Sequence, residues 1–174
     1  MPLILRKIRK AKWHQYSQSD FPWLLEDDIP ADPLGDLATN DNALSVWQID
    51  DDKSNLPHVA AALAANCDDL SNLDYALFDQ QVLKEINIVI RPSKGNSPDE
   101  IVNQNCHRDL VELSARQLVN LAKAIFTHAE VKRISEKEVL HLLAQAVVSG
   151  QIERLKLRTK IGMKIDKYIA LNKN

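Results

Sequence analysis

Few residues in this sequence belong to the types that form disulfide frameworks, phosphate-binding loops or membrane spans. It has only two cysteines, Cys67 and Cys106, and four scattered glycines. Two cysteines outside any CxxC pair are too few for a disulfide framework, and the glycines form neither a P-loop nor a dinucleotide-binding motif. The longest mid-chain run without a polar residue, residues 59–65, is far shorter than the roughly 20 residues of a membrane span. We therefore expect a cytoplasmic protein that uses no cofactor and does not enter a membrane.

Charge is the strongest feature of the composition, because a net charge of −2 conceals three segments of opposite sign. Residues 1–12 carry five basic groups and no acidic one. Residues 13–112 carry five basic groups against nineteen acidic ones, and residues 113–174 carry twelve against five. Such asymmetry marks either a surface for a charged partner or a basic tail that covers the acidic middle within one fold. We slightly favour the internal explanation, because a single chain of this length brings its segments together.

Strands and helices alternate in the first hundred residues. Apolar alternation predicts strands over residues 3–9, 43–50, 73–79 and 88–91. A longer helix, over residues 56–65, follows the second strand, and a short helix, over residues 80–85, follows the third. We expect the first strand at an edge of the sheet, where its lysines and arginines would discourage unwanted pairing. This order predicts an α+β fold with a short mixed β-sheet and flanking helices.

The last third of the chain carries the clearest helix signals. Ser114 with Gln117, and Ser135 with Glu138, fit the capping box that begins a helix. Apolar stripes follow both serines, Gly150 ends the second helix, and a final helix follows with lysines on its outer face. Leu140 and Val148 widen the second stripe, which predicts burial of that helix on more than one side. We therefore divide the chain into a sheet-containing portion, residues 1–100, and a helical portion, residues 101–174, packed as one compact domain.

Aspartates follow two of the predicted strands. Asp50 ends the second strand, Asp52 follows two residues later, and Asp79 ends the third. If these strands are parallel neighbours, the carboxylates lie at one edge of the sheet and can bind Mg²⁺, as in a metal-dependent hydrolase. The alternative, which we favour, is a solvated acidic turn near a helix N-terminus, where the helix dipole stabilises acidic groups.

The basic N-terminus offers a second alternative function, nucleic-acid binding. Arg6, Arg9 and Lys10 could contact phosphates while Trp13 stacks on a base. Domains that bind nucleic acids are usually basic overall, whereas this chain has a pI of about 6.2. We therefore favour a charged strand with Trp13 folded into the core.

An apolar patch interrupts the acidic middle of the chain. Residues 21–25 read FPWLL and precede Glu26, Asp27 and Asp28. Exposed aromatic residues often dominate protein-binding surfaces, so Trp23 with these three acids predicts a docking segment for a protein with a basic surface. The alternative is a loop that anchors itself on its own core. Because no catalytic motif occurs, we predict a non-enzymatic regulatory or accessory protein that acts through protein–protein interaction at an acidic surface.

Overall fold

The computed structural model describes residues 2–13, 21–25 and 28–172. The chain forms two compact units, each assembled from three separate segments. The first unit contains Met1–Gln48, Asp74–Pro92 and Arg108–Lys132. The second contains Ile49–Leu73, Ser93–His107 and Arg133–Asn174. The chain therefore passes between the units several times.

A six-stranded sheet dominates the first unit. Its strands are β1 (Leu3–Lys7), β2 (Leu44–Ile49), β3 (Leu73–Asp79), β4 (Val89–Pro92), β5 (His107–Val111) and β6 (Glu130–Ile134). Their order in the sheet is β4-β5-β2-β1-β3-β6. The sheet is antiparallel, with Leu3 of β1 opposite Asp79 of β3 and Val89 of β4 opposite Val111 of β5. The predicted α+β class with flanking helices is thus confirmed, and the sheet differs from the prediction in not being mixed.

Two details of the predicted sheet were wrong. The first strand is not at an edge, since β1 lies between β2 and β3. Ile4 and Leu5 of this strand are fully buried, and its basic residues come only at the end of the strand. The sheet also includes β5 and β6, beyond residue 100. β5 lies within residues 101–113, where the sequence pattern is ambiguous between strand and helix, and β6 lies where only helices were predicted. Both strands have five residues, too few to give a periodicity that stands out between long helices.

The described residues also form six α-helices: α1 (Leu56–Ala65), α2 (Gln81–Glu85), α3 (Glu100–Asn105), α4 (Ala115–His128), α5 (Glu136–Val148) and α6 (Thr159–Leu171). The predicted helix over residues 56–65 agrees with α1 at both ends, and Gly150 follows α5 with a positive φ of 77°. Short 3₁₀ helices occur at Lys10–Lys12, Asp32–Leu37 and Arg154–Lys156. None of the helices in the described part of the chain is both long enough and apolar enough to cross a membrane.

Each unit has its own hydrophobic core. In the first unit, α4 packs Leu121 and Ile125 with strand residues such as Ile4, Val46 and Phe78. In the second unit, α1 contributes four alanines to a cluster with side chains of α5 and α6, of which Leu143, Ile161 and Ile165 are fully buried. Alanines let α1 approach α5 closely, because they add little volume between the helix axes.

Both predicted capping boxes are present. The Ser135 hydroxyl accepts a hydrogen bond from the Glu138 backbone N–H at 3.3 Å, and the Glu138 carboxylate accepts one from the Ser135 N–H at 2.9 Å. Hydrogen bonds from the Ser135 hydroxyl and then from its backbone N–H hold the pKa of Glu138 below its ordinary value. Ser114 and Gln117 form the same arrangement at the start of α4.

Replacing Ser135 by alanine is expected to lower the free energy of unfolding by about 1 kcal/mol, the usual effect of losing an N-terminal cap. Urea denaturation followed by far-UV circular dichroism measures this change. Ser149→Ala is the matched control, because Ser149 follows the C-terminus of α5 and caps no N-terminal N–H. Equal stability of Ser135→Ala and the wild type would contradict the capping account.

Candidate functional site

A loop of the first unit combines anchored and exposed apolar residues. Ile29 and Leu34 pack against the core, and Pro33 and Leu37 of the following 3₁₀ helix are buried. The loop therefore anchors itself on its own core, as one of the two sequence interpretations proposed. This anchoring fixes the part of the loop from residue 29 to residue 37.

Two of those side chains point into solvent. Trp23 is 72% exposed and Leu25 is 75% exposed. The Phe21 ring meets the Trp23 ring edge to face, with 5.3 Å between the ring centroids. Beside them lies a cavity of about 450 Å³, whose lining residues include Phe21, Trp23, Leu24, Ile29 and Pro33. We call Trp23, Leu25 and this cavity the loop surface.

Acidic groups accompany the loop surface. Asp32 lines the cavity together with Lys12, whose Nζ donates to the Asp32 backbone oxygen at 3.1 Å. A carboxylate oxygen of Asp28 lies 3.4 Å from the Leu25 backbone nitrogen. Of the predicted protein-binding residues, Trp23 and Asp28 thus belong to one loop, while Glu26 and Asp27 lie outside the described residues. No lysine or arginine occurs between Lys12 and Lys53 in the sequence.

Two of the predicted nucleic-acid residues, Arg9 and Trp13, donate to one carboxylate, that of Asp36. Asp36, 6% exposed, accepts hydrogen bonds from the Arg9 Nε at 2.7 Å, the Arg9 backbone N–H at 2.8 Å and the Trp13 Nε1 at 2.9 Å. The Arg6 guanidinium donates to the backbone oxygens of Asp36 and Ser45. Burial lowers the pKa of Arg6, and the nearby charge of Asp36 opposes that effect.

The same contacts determine the charge of Asp36. Burial alone would raise the pKa of its carboxyl, but hydrogen bonds from Arg9 and Trp13, together with the charge of Arg9, hold it below its ordinary value. The carboxylate is therefore the stable form in the folded protein. We call Asp36 with Arg6, Arg9 and Trp13 the Asp36 cluster.

These contacts weaken the nucleic-acid alternative. Trp13 is only 3% exposed and lies against Phe126, so its ring has no free face on which a base could stack. Lys10 remains exposed, but its backbone N–H is bound to the Asp74 carboxylate. The prediction that Trp13 stacks on a base is therefore wrong, because the core buries its ring.

The aspartates of the metal alternative each bind locally. Asp52 accepts a hydrogen bond from the Ser54 backbone N–H at 2.9 Å, and Asp50 contacts the Ser54 hydroxyl. Asp79 accepts one from the Gln81 N–H at 2.7 Å, at the start of α2. The strands that carry Asp50 and Asp79 are not neighbours, since β1 separates them. Across the described residues, no group of three or more His, Cys, Asp or Glu side chains is arranged to hold a metal ion.

Some residues of the acidic middle form ion pairs with residues of the basic ends of the sequence within each unit. In the second unit, Asp68 pairs with Arg158 at 2.7 Å and Asp69 with Lys164 at 2.9 Å. In the first unit, Asp36 of the acidic middle pairs with Arg9 of the basic N-terminus. The basic ends of the sequence thus cover part of its acidic middle, as the internal explanation of the charge pattern expects.

Buried polar side chains of the second unit form a hydrogen-bonded group that the sequence did not reveal. Asp99, fully buried, caps α3 at the Val102 N–H and accepts a 2.6 Å hydrogen bond from Gln151. The His107 Nδ1 lies 2.8 Å from the Ser93 hydroxyl. The bond between Asp99 and Gln151 ties the segment around α3 to the residues after α5. Both contacts give buried polar groups the hydrogen-bond partners that they need.

A groove between α5 and α6 is the second concave surface of interest. Its volume is about 500 Å³, and it is lined by His141, Ala144, Gln145, Val148, Ser149, Tyr168, Ile169 and Asn172. Val148 is 71% exposed, so the predicted burial of α5 on a second side was wrong at this residue. An apolar residue that widens the stripe of a helix was the only sequence signal for this surface.

Comparison with known proteins leaves the function to be inferred from these surfaces. The chain matches no protein-family model, no curated protein and no solved structure. The loop surface is therefore assessed by its chemistry alone.

Proposed function

We propose that this protein is a non-enzymatic accessory or regulatory protein that binds another protein through the loop surface. The exposure of Trp23 and Leu25 beside an apolar cavity carries the proposal. Large apolar side chains lose contact with water when a partner covers them, at about 25 cal/mol per Å² of apolar area. Tryptophan is also among the residues that most often dominate protein-binding surfaces.

The anchoring of the loop supports this proposal. Ile29, Pro33 and Leu37 hold the loop against the core, so binding would not have to order the whole segment. A preformed surface loses less conformational entropy on association than a disordered one. A cavity of about 450 Å³ has room for one or two partner side chains between Trp23 and Pro33.

The expected partner has a basic surface. The sequence from residue 13 to residue 52 contains ten acidic residues and no lysine or arginine. Of these acids, Glu26, Asp27 and Asp28 follow directly on the apolar patch in sequence. Opposite charges around an apolar centre accelerate association and select the partner.

Neutralising Glu26, Asp27 and Asp28 together, as Gln, Asn and Asn, is expected to slow association with the partner about five- to tenfold at low salt. The dissociation rate should change less, because charges at the rim of an interface act mainly on the encounter. Partners recovered by native purification at low salt would be tested by surface plasmon resonance at several ionic strengths.

The matched control removes three acids elsewhere. Asp50, Asp51 and Asp52 are also consecutive, and replacing them by asparagine makes the same change in net charge in the second unit. Equal slowing by both triple variants would mean that only net charge matters and would contradict a binding role for the loop surface. Failure to recover any partner at low salt would contradict the function itself.

A further inference from the structure

The segment between α5 and α6 packs into the core of the second unit at two residues and crosses the surface between them. We call residues 150–158 the strap, which contains the 3₁₀ helix Arg154–Lys156. Ile152 and Leu157 are 1% and 6% exposed and belong to the core of the second unit. Between them, the Leu155 side chain is 94% exposed. The middle of the strap therefore depends on polar contacts to stay in place.

Arg154 joins the strap to α6 by a pair of hydrogen bonds. Its Nε and Nη2 donate to the two carboxylate oxygens of Asp166 at 2.9 Å and 2.7 Å. A forked contact of this kind fixes the orientation of the guanidinium as well as its distance from the carboxylate. The Arg154 side chain is 32% exposed, so water reaches this contact only in part. Hydrogen bonds from Arg154 hold the pKa of Asp166 below its ordinary value.

Gly162 makes room for this arrangement. It is buried on α6, one turn before Asp166. A β-carbon at this position would overlap the guanidinium carbon of Arg154 and both of its terminal nitrogens. The guanidinium therefore lies directly over the helix backbone, and it reaches Asp166 because residues four positions apart share a helix face. Glycine weakens a helix relative to alanine, and the space that Arg154 needs gives a reason for glycine here.

The strap also covers a buried carboxylate. The Gln151 side-chain amide donates to the Asp99 carboxylate at 2.6 Å, and Asp99 is fully buried. The Ile152 N–H donates to the Ala146 oxygen at 3.0 Å. If the strap moved away, both hydrogen bonds would break and Asp99 would lose its contact with Gln151. A closed strap therefore keeps these polar groups satisfied inside the second unit.

We infer that Arg154 is a latch that holds this strap closed, and that Gly162 is the seat that admits the latch. When the latch is removed, residues 150–158 open as one local unit while α5 and α6 stay folded. Opening exposes Ile152 and Leu157 to water and uncovers Asp99. All of these residues belong to the second unit, and the latch does not depend on the binding activity proposed for the loop surface.

Amide hydrogen exchange tests the latch. In Arg154→Gln, the amides of Ile152 and Leu157 should exchange about three- to tenfold faster than in the wild type, because a well-aligned ion pair that favours the closed strap is lost. The Leu143 amide, which lies within α5, should exchange at its wild-type rate, because its exchange requires the helix to unfold. Wild-type exchange at Ile152 and Leu157 in Arg154→Gln would overturn the inference. Equal acceleration at Leu143 would also overturn it, since the strap would then open only when the unit unfolds.

Lys156→Gln is the matched control. It makes the same change in charge on the same 3₁₀ helix, but the partner of Lys156, Glu153 at 2.9 Å, belongs to the strap as well. This pair cannot hold the strap against α6, so the Ile152 amide should keep its wild-type exchange rate in the control. Acceleration as large as that in Arg154→Gln would mean that only the charge of the strap matters and would overturn the inference.

Gly162→Ala tests the seat separately, because alanine favours the helix while its methyl group occupies the position of the guanidinium. Exchange at Ile152 should accelerate as it does in Arg154→Gln. The pKa of Asp166, followed by ¹³C spectra of its carboxyl group, should rise towards its ordinary value in both variants and stay low in Lys156→Gln. A wild-type exchange rate or a wild-type Asp166 pKa in Gly162→Ala would overturn the role of Gly162 as the seat.

Discussion

Replacing Leu143 by alanine is expected to lower the free energy of unfolding by about 2–5 kcal/mol. Leu143 is fully buried in the core of the second unit, among side chains of α1, α5 and α6. Its truncation removes apolar contacts and leaves a cavity that the packed helices fill only in part. Leu121→Ala, 1% exposed in the core of the first unit, is expected to have an effect of the same size.

Leu155→Ala is the matched control for both variants. Leu155 is 94% exposed, so this substitution removes the same atoms from a solvent-exposed position instead of from a core. Chemical denaturation followed by tryptophan fluorescence and by circular dichroism gives the three free energies. Separate transitions by the two methods would mean that the units unfold independently, in which case each leucine affects its own transition. Wild-type stability of both core variants would show that the wrong helix faces are assigned to the interior.

Asp36→Ala is expected to lower the free energy of unfolding by about 1.5–3 kcal/mol, the range for hydrogen bonds to a charged group. The change removes the acceptor of the Trp13 indole N–H, and Trp13 is only 3% exposed. It also leaves the backbone N–H and the guanidinium of Arg9 without their carboxylate partner. Asp32→Ala is the control, since Asp32 is an exposed acid four residues earlier in the same 3₁₀ helix.

The pH dependence of this effect has a definite sign. Because the folded-state pKa of Asp36 lies below the ordinary value of about 3.9, its carboxylate stabilises the fold fully above that value. The stabilisation is lost as the pH falls below about 4 and through the folded-state pKa. The difference in unfolding free energy between wild type and Asp36→Asn should therefore be constant above about pH 5 and shrink in more acidic solution. If the difference in unfolding free energy grew as the pH fell, the stabilising role assigned to the Asp36 carboxylate would be contradicted.

Local features of the fold could be predicted from the sequence. The capping boxes at Ser114 and Ser135 depend on residues three positions apart, and the bounds of α1 and β3 follow from short apolar patterns. Such features were confirmed because the interactions that form them lie within a few residues of one another.

Non-local features could not be predicted in the same way. The position of β1 inside the sheet depends on its pairing with β3, about 70 residues later in the chain. The contacts of Asp36 with Arg9 and Trp13 join residues that are 27 and 23 positions apart in the chain. No periodic pattern in the sequence indicates such contacts. Neither pairing leaves a local pattern in the sequence. The sequence therefore favoured the core for Trp13 but left a binding surface open as an alternative.

The candidate surfaces were predicted only in part. The apolar patch with Trp23 was visible in the sequence, because an aromatic cluster within an acidic segment is unusual. The α5–α6 groove was not, since Val148 fits a helical stripe as well as any core residue does. Only the packing of α6 determines which end of that stripe is covered.

Site-specific photo-cross-linking tests the central claim most directly, namely that the loop surface binds another protein. A photoreactive phenylalanine analogue replaces Trp23 in one sample and Leu155, which is also highly exposed, in the other. We predict that position 23 cross-links to a protein with a basic surface, and that the purified protein binds the wild-type chain more slowly as salt increases. Position 155 should not capture that protein. Equal capture from both positions, or binding of the captured protein that salt does not affect, would contradict the claim.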